Sequence, residues 1–262
     1  MMLQKLKALL LNLNSASKED THIPPLFHSV VMHPRPDRIY DKLRGRFGFL
    51  NWWPGDTHFE IFVGAVLTQQ TTWKNVEKAI ANIKRAGRMD LDSISRMHLR
   101  NLEAMVKPSG YYRQKARRLH DICSIIKREY GSIDGLFKLG PAELRARLLS
   151  MKGIGEETAD SIVLYAAGKP TFVVDAYTRR IMHRIDHKIS EKISYGDLKL
   201  MFESNLKPDL TLYKDFHAQF VELGKNICKK RDPLCGGCPL KSVCETGASR
   251  TGDIKWHGGY RY

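Results

Sequence analysis

The stretch Met151-Lys152-Gly153-Ile154-Gly155-Glu156-Glu157-Thr158-Ala159-Asp160, followed by Val173-Val174-Asp175, constrains this chain more than any other. It reads as a helix, a tight Gly-x-Gly hairpin and a second helix, with a carboxylate beyond. Gly153 and Gly155 carry no Cβ, so the backbone N–H groups of the hairpin can come close to an anion, with Lys152 beside them. A helix N-terminus adds a favourable dipole for a phosphate. Taken alone, a Gly-x-Gly fits a buried helical hairpin followed by a solvated Asp just as well.

Charge separates the two readings. Lys plus Arg number 43 against 28 Asp plus Glu, a formal net charge of +15 over 262 residues. Such an excess favours a polyanionic partner and a salt-sensitive affinity, though a merely soluble basic protein can also carry it. The basic residues cluster: Arg113, Lys115, Arg117 and Arg118 follow a Gly-Tyr-Tyr turn, and Lys225, Lys229, Lys230 and Arg231 adjoin a cysteine. No apolar run reaches the ~18 to 20 residues of a membrane span. Ala8-Leu9-Leu10-Leu11 is not followed by a clean small-residue cleavage site. A cytoplasmic protein, nucleoid-associated if prokaryotic, monomeric and without a membrane partner, is the expectation. Residues 1–20 read as an N-terminal extension, a short amphipathic helix and a polar linker.

Helical periodicity dominates and strand signals are scarce. Phe59, Phe62, Val63, Val66, Leu67, Trp73, Val76, Ile80 and Ile83 recur three and four apart, with a polar break at Gln69-Gln70-Thr71-Thr72 that predicts two helices. Residues 114–128 repeat the pattern through Ala116, Leu119, Ile122 and Ile125. Pro141 suits a first helical position, leading Glu143 to Leu149. Thr158 to Ala167 reads as the second hairpin helix, with Gly168 as its C-cap and Pro170 beyond. Tyr177 to Ile185 and Leu212 to Ile227 continue the pattern. The fold class is therefore all-α.

Four of the five cysteines, Cys228, Cys235, Cys238 and Cys244, are spaced C-x6-C-x2-C-x5-C. Four thiolates in one short loop suit a [4Fe–4S] cluster or a tetrahedral zinc. Zinc sites usually show two short pairs and this run has one, Cys235 and Cys238. Disulfides do not fit a cytosolic chain. Cys123 stands alone on a helical face as a small buried hydrophobe.

The hairpin, the Val-Asp pair and the cysteine spacing together resemble the helix-hairpin-helix, Gly/Pro-rich, Asp-containing superfamily of DNA glycosylases, of the endonuclease III type, over roughly residues 57–245. The resemblance implies two helical lobes. One is a six-helix bundle at 57–168 carrying the hairpin. The other joins 21–56 to 169–262 and holds the cysteine loop, whose spacing matches the iron–sulfur loop of that family. It implies double-stranded DNA containing a damaged base as the partner, Asp175 as the catalytic carboxylate, and phosphate contacts from Lys152, Gly153, Gly155, Lys229 and Lys230. A base inside a duplex must be flipped out before it can be cut. Gln69 and Gln70 match the family's gap-filling region, and Tyr111, in Ser109-Gly110-Tyr111-Tyr112, its second DNA-facing loop. The same residues would serve as an ordinary polar helix end.

Bifunctional members carry an imine-forming Lys in the second hairpin helix, and Glu157 occupies that position here. A carboxylate cannot form the imine, so base removal without strand nicking is expected. The adenine glycosylase of the family needs a Glu where this chain has Ala65. Trp52-Trp53-Pro54 followed by Leu67-Thr68-Gln69 resembles the 3-methyladenine DNA glycosylase III branch, although the four cysteines depart from the pattern associated with it. The two Trp rings either pack between lobes or stack on a flipped base. A purine alkylated on a ring nitrogen is cationic, which suits an indole face. The alternatives are a bifunctional lyase acting on oxidised pyrimidines, a mismatch thymine or uracil glycosylase, and a non-catalytic binder of DNA structure.

Overall fold

The computed structural model describes residues 35–50, 52 and 55–250. Among them there is no strand, and the element order is a succession of helices. The N-terminal extension, Trp53 and Pro54 lie outside the described residues. No described helix is long and apolar enough to cross a membrane.

The first described helix, α1 (Pro36–Phe47), carries little apolar periodicity, because half of its residues are charged. It forms with Pro36 at its start, where the missing N–H costs nothing, and buries only Pro36, Ile39 and Leu43. The central element is α2 (His58–Leu67), in which Phe59 through Gly64, Val66 and Leu67 are all buried. A helix apolar on every side belongs in a core. Thr57 caps it, accepting from the Glu60 N–H at 3.1 Å. The polar break is real: α3 (Trp73–Arg85) starts after it and buries Val76, Ala79, Ile80 and Ile83, a single stripe.

Two short helices not expected from the sequence follow, α4 (Leu91–Arg96) and α5 (Leu99–Val106), each capped by the side chain before it, Asp90 and His98. A 3-10 turn at Lys107–Ser109 leads into α6 (Tyr112–Tyr130). Its core face is Ala116, Leu119, Ile122, Cys123 and Ile126, with Ile126 inside where the periodicity suggested Ile125. Cys123 is buried as expected, and burial pushes its thiol well above the ordinary range. Helices α7 (Ile133–Phe137) and α8 (Pro141–Leu149) complete the approach to the hairpin.

The second hairpin helix is two pieces. An α-helical turn, α9 (Glu156–Ser161), passes into a π-helical turn at Ile162–Ala166, all five residues of which are buried. Gly168 ends it at φ +63°, as a C-cap glycine should. After an extended segment, α10 (Ala176–Ile185), α11 (Tyr195–Glu203) and α12 (Leu210–Asn226) follow, then the cysteine loop and α13 (Glu245–Ser249).

Two sets of contacts fix these helices around the chain leading to Asp175. The first is aromatic. Phe172 stacks on Phe202 at 4.1 Å, Phe216 on Phe220 at 4.8 Å, and Phe172 meets Phe216 edge-on at 5.6 Å. Such pairs add to the area they bury. The second is ionic. Asp160 on α9 has no exposed surface and accepts from Arg145 Nε at 2.9 Å, Lys199 Nζ at 2.7 Å and Thr171 Oγ1 at 3.1 Å. Glu203 accepts from the Phe172 N–H at 2.8 Å. Helix α12 meets α10 closely at Gly224, where a Cβ would lie 2.3 Å from the Tyr177 ring.

Asp160→Ala takes the nearest carboxylate from the buried Lys199 ammonium and from Arg145, leaving Lys199 with the Thr171 hydroxyl at 2.6 Å and Glu203 at 3.6 Å. Breaking a buried pair in this way costs about 3–5 kcal/mol, so a large drop in denaturation midpoint is expected. A midpoint within a degree or two of the parent's would show that the network carries no such weight.

Candidate active site

Asp175 is the residue on which the site converges, and its position is set by the helix it begins. As the N-cap of α10, its Oδ1 accepts from the Thr178 N–H at 2.7 Å and the Thr178 hydroxyl at 2.8 Å. Asp-Ala-Tyr-Thr is an N-cap with its partner at the third helical position. The side chain is 11% exposed. Burial works to raise its pKa, but His217, then the Thr178 N–H and hydroxyl, outweigh it and hold the carboxyl below the ordinary value.

Three aromatic residues from distant parts of the chain surround it. Trp52 meets Tyr165 edge-on at 5.7 Å and the His217 ring at 6.0 Å. Tyr165 Oη lies 2.6 Å from His217 Nδ1. His217 Nε2 lies 3.7 Å from Asp175 Oδ2. Tyr165 sits on the π turn, whose extra residue per turn rotates it from the face an α-helix would give it. Sequence reading identified neither Tyr165 nor His217; the π turn has no periodicity signal, and His217 falls in an apolar helix without a motif.

Trp52 is held over this pair by the α12 side chains. Asp215 is buried and accepts from Tyr40 Oη at 2.8 Å, Arg44 at 3.1 Å and the Leu50 N–H at 2.9 Å. Gln219 donates to the Gly48 carbonyl at 2.7 Å. The strand of backbone preceding Trp52 is thereby stapled to the helix that bears His217.

Glu157 faces the same space from α9. It is exposed by surface area, yet burial among surrounding atoms, then the Asp175 charge, raise its pKa. A carboxyl that water reaches although many atoms surround it lies in a concavity. Two carboxyls pushed in opposite directions are the usual arrangement for acid and base roles in one site.

The hairpin glycines have different tasks. Gly153 has φ +94°, and a Cβ there would lie 2.6 Å from the Arg118 side chain. Gly155 has nothing within 4 Å of such a Cβ. Only Gly155 therefore leaves open room at the hairpin, while Gly153 is required by its own backbone and by Arg118. Lys152 is exposed.

Gln69 and Gln70 are divided likewise. Gln69 donates to the Gly153 carbonyl at 2.8 Å and accepts from Arg118 at 3.0 Å, fastening its loop to the hairpin. Gln70 is exposed, with φ +54°. Tyr111 is 67% exposed with φ +44°. Non-glycine residues held at positive φ mark places that the surroundings over-determine, and they gather at functional loops. The surroundings here include Lys115, a buried ammonium that donates to the carbonyls of Leu67 at 2.9 Å and Ser109 at 2.6 Å. It ties the two strained loops together.

All four loop cysteines line one hollow. Among the described residues no three potential ligands converge as the ligands of a single metal ion do. Arg184 Nη1 donates to Cys228 Sγ at 3.2 Å, and the Gly247 N–H to Cys244 Sγ at 3.3 Å. Arg184 also donates to the carbonyls of Lys229 and Lys230, and Arg180 to that of Cys228. The Lys229 and Lys230 side chains are left exposed. Asp232, the third non-glycine residue at positive φ among those described, is in this loop.

Residues 63–208 match the HhH-GPD superfamily of base excision DNA repair proteins. A Methanocaldococcus jannaschii protein, provisionally described as a DNA repair glycosylase, is 44% identical over 79% of this chain and 94% of its own length. Endonuclease III of Thermotoga maritima is 30% identical over 71% of this chain and 82% of its own. Among solved structures, the H. pylori 3-methyladenine DNA glycosylase bound to 1,N6-ethenoadenine is similar at TM-score 0.65 and 30% identity, covering 73% of this chain and 97% of that one. An endonuclease III–DNA complex has the same fold at TM-score 0.70 and 22% identity, covering 81% and 94%.

Gly153→Ala should lower stability by about 1–3 kcal/mol through strain and overpacking, whereas Gly155→Ala should change it by less than about 0.5 kcal/mol. Thermal melts of the two variants check this, and equal losses would remove the distinction between them.

Proposed function

The chain belongs to the HhH-GPD superfamily of base excision DNA repair proteins and is a DNA glycosylase; we propose that it is monofunctional and removes an alkylated purine, such as 3-methyladenine, from duplex DNA. The observation that carries the proposal is the pocket itself: a low-pKa carboxylate beneath a Trp-Tyr-His cluster, faced by Glu157. Base removal breaks the bond from the sugar C1′ to the base nitrogen, and the electron pair leaves with the base. A ring-alkylated purine departs neutral because it began cationic, so little acid catalysis is needed. Positive charge builds on the sugar, and the ionised Asp175 is placed to stabilise it. The oxygen of a water then bonds to C1′ and its proton passes to Asp175 or to solvent.

Trp52 offers the cationic base an electron-rich face. Glu157 cannot attack C1′ as an amine does, so no imine holds the sugar and the strand is left intact. Gln70 and Tyr111, exposed and strained, are suited to fill the gap left by the base, with the Gly155 side of the hairpin and Lys152 on the phosphates. Trp53 and Pro54 belong to the same proposal by sequence alone.

We further propose that Cys228, Cys235, Cys238 and Cys244 hold a [4Fe–4S] cluster. When bound, it would cross-link the loop through four iron–sulfur bonds. The chain's own contribution is Arg180 and Arg184, which fix the loop to α10, and the exposed Lys229 and Lys230, directed to phosphate.

Asp175→Asn should lower the single-turnover rate of base release about 10²-fold or more, with little change in affinity for duplex. Retention of a tenth of the parent rate would remove Asp175 from the mechanism. Duplexes bearing one lesion each, assayed separately for free base and for nicking, decide the substrate. Release of 3-methyladenine with an alkali-labile but uncut strand is expected. Prompt nicking with a borohydride-trapped adduct would overturn the monofunctional reading, and release of thymine glycol or mismatched thymine alone would overturn the purine reading. The protein purified anaerobically should be yellow-brown, with about four irons per chain; stoichiometric zinc in a colourless protein would overturn the cluster.

A further inference from the structure

Asp175 uses only one of its oxygens in the helix cap. Both donors from Thr178 fall on Oδ1. Among the described residues no hydrogen bond is made to Oδ2, and His217 Nε2 lies 3.7 Å from it. That nitrogen is buried, its residue being 6% exposed, and it has no hydrogen-bond partner. A buried N–H without a partner is costly and is expected to have a reason. A shift of well under 1 Å would turn the contact into a hydrogen bond.

The other ring nitrogen has a partner of its own. Tyr165 Oη is 2.6 Å from His217 Nδ1 but 3.4 Å from the Lys214 carbonyl. The Asp175 carboxylate beside Nε2 favours the tautomer with its hydrogen on Nε2, which leaves Nδ1 to accept from the Tyr165 O–H. A neutral ring then carries its own hydrogen on Nε2, towards Asp175, and a protonated ring carries one there as well. In both states His217 presents a donor to the carboxylate.

We infer that His217 is a positioning residue for Asp175, with its buried Nε2–H directed at the one carboxylate oxygen that the helix cap leaves free and with Tyr165 holding the far side of its ring. The inference rests on the reading of Asp175 as the catalytic carboxylate. Its consequence is that Asp175 stays ionised, and oriented, in a pocket that otherwise opposes ionisation. The groups facing Asp175 make this clear. Glu157 on α9 adds a like charge, and Tyr165 on the π turn offers its hydroxyl to His217. On α12, His217 is favourable and Asp215 is engaged with Tyr40 and Arg44. Thr178, on Asp175's own helix, donates to Oδ1, and Arg179, on the same helix, is a cation near Glu157. Without His217, burial and Glu157 act on Asp175 with only the cap against them.

The test follows the carboxyl directly. In the full-length protein labelled with 13C at aspartate carboxyls, Asp175→Asn identifies the Asp175 resonance, and its titration is followed in His217→Phe. The midpoint should rise by about one pH unit or more, and the acidic limb of single-turnover base release should rise with it. His217→Gln, which keeps a neutral donor, should recover part of the shift. An unchanged midpoint in folded His217→Phe overturns the inference. Should that variant fail to fold, Tyr165→Phe decides: a smaller rise supports the inference and no change overturns it. A midpoint that moves while no variant, nor the parent, releases any base supports the contact and refutes the catalytic reading of Asp175.

Discussion

The buried Asp160 carboxylate is the constraint on which the rest of the structure depends. A carboxylate with no access to water is tolerated only when its oxygens are fully used. Here Oδ1 accepts from Arg145 of α8, Lys199 of α11 and Thr171 of the extended segment, and Oδ2 from Arg145 at 3.2 Å. The hairpin lies between α8 and α9, and the extended segment ends at Asp175. One buried charge therefore sets the spacing between the hairpin and the carboxylate. Tyr195 adds to it from α11, its hydroxyl accepting from the Val174 N–H at 3.4 Å.

A second level of organisation is the tying of loops. Lys115 joins the ends of α2 and the 3-10 turn, and Gln69 joins the first of these to the hairpin. Three loops far apart in sequence thus form one rigid face. Gln70 and Tyr111 are kept in unfavourable backbone conformations on that face, a strain that a looser framework would release. Burial also draws the Lys115 pKa down, with Arg118 acting in the same direction. Its work is done through backbone carbonyls rather than a counter-charge.

Helix α10 connects the two ends of the site. Asp175 caps its N-terminus, where the helix dipole favours an anion. Arg180 and Arg184, one and two turns further on, reach the cysteine loop. A distortion of that loop is transmitted to α10, which is a physical reason for a structural cluster to matter to a carboxylate it does not touch. The surface and pocket also differ in kind. The surface is cationic and suited to phosphate, whereas the pocket is aromatic with two carboxyls of opposite tendency.

By itself the sequence determined the helical class, the hairpin, the capping glycine at Gly168, the cysteine spacing and Asp175 as the acid to watch. Each is local: a period, a turn residue or a short spacing records it. Tertiary structure alone decided what surrounds that acid. Trp52, Tyr165 and His217 lie more than 50 residues from one another, and no local pattern links them. The π turn that aims Tyr165 breaks the period on which helix reading depends, and Asp215 and Gln219, which hold the backbone before Trp52, sit within an apolar helix face where polar residues carry no motif. Likewise Gly153 and Gly155 look equivalent in sequence. The positive φ of Gly153 and the packing of Arg118, 35 residues earlier, make one a structural necessity, while a Cβ at the other would meet open space.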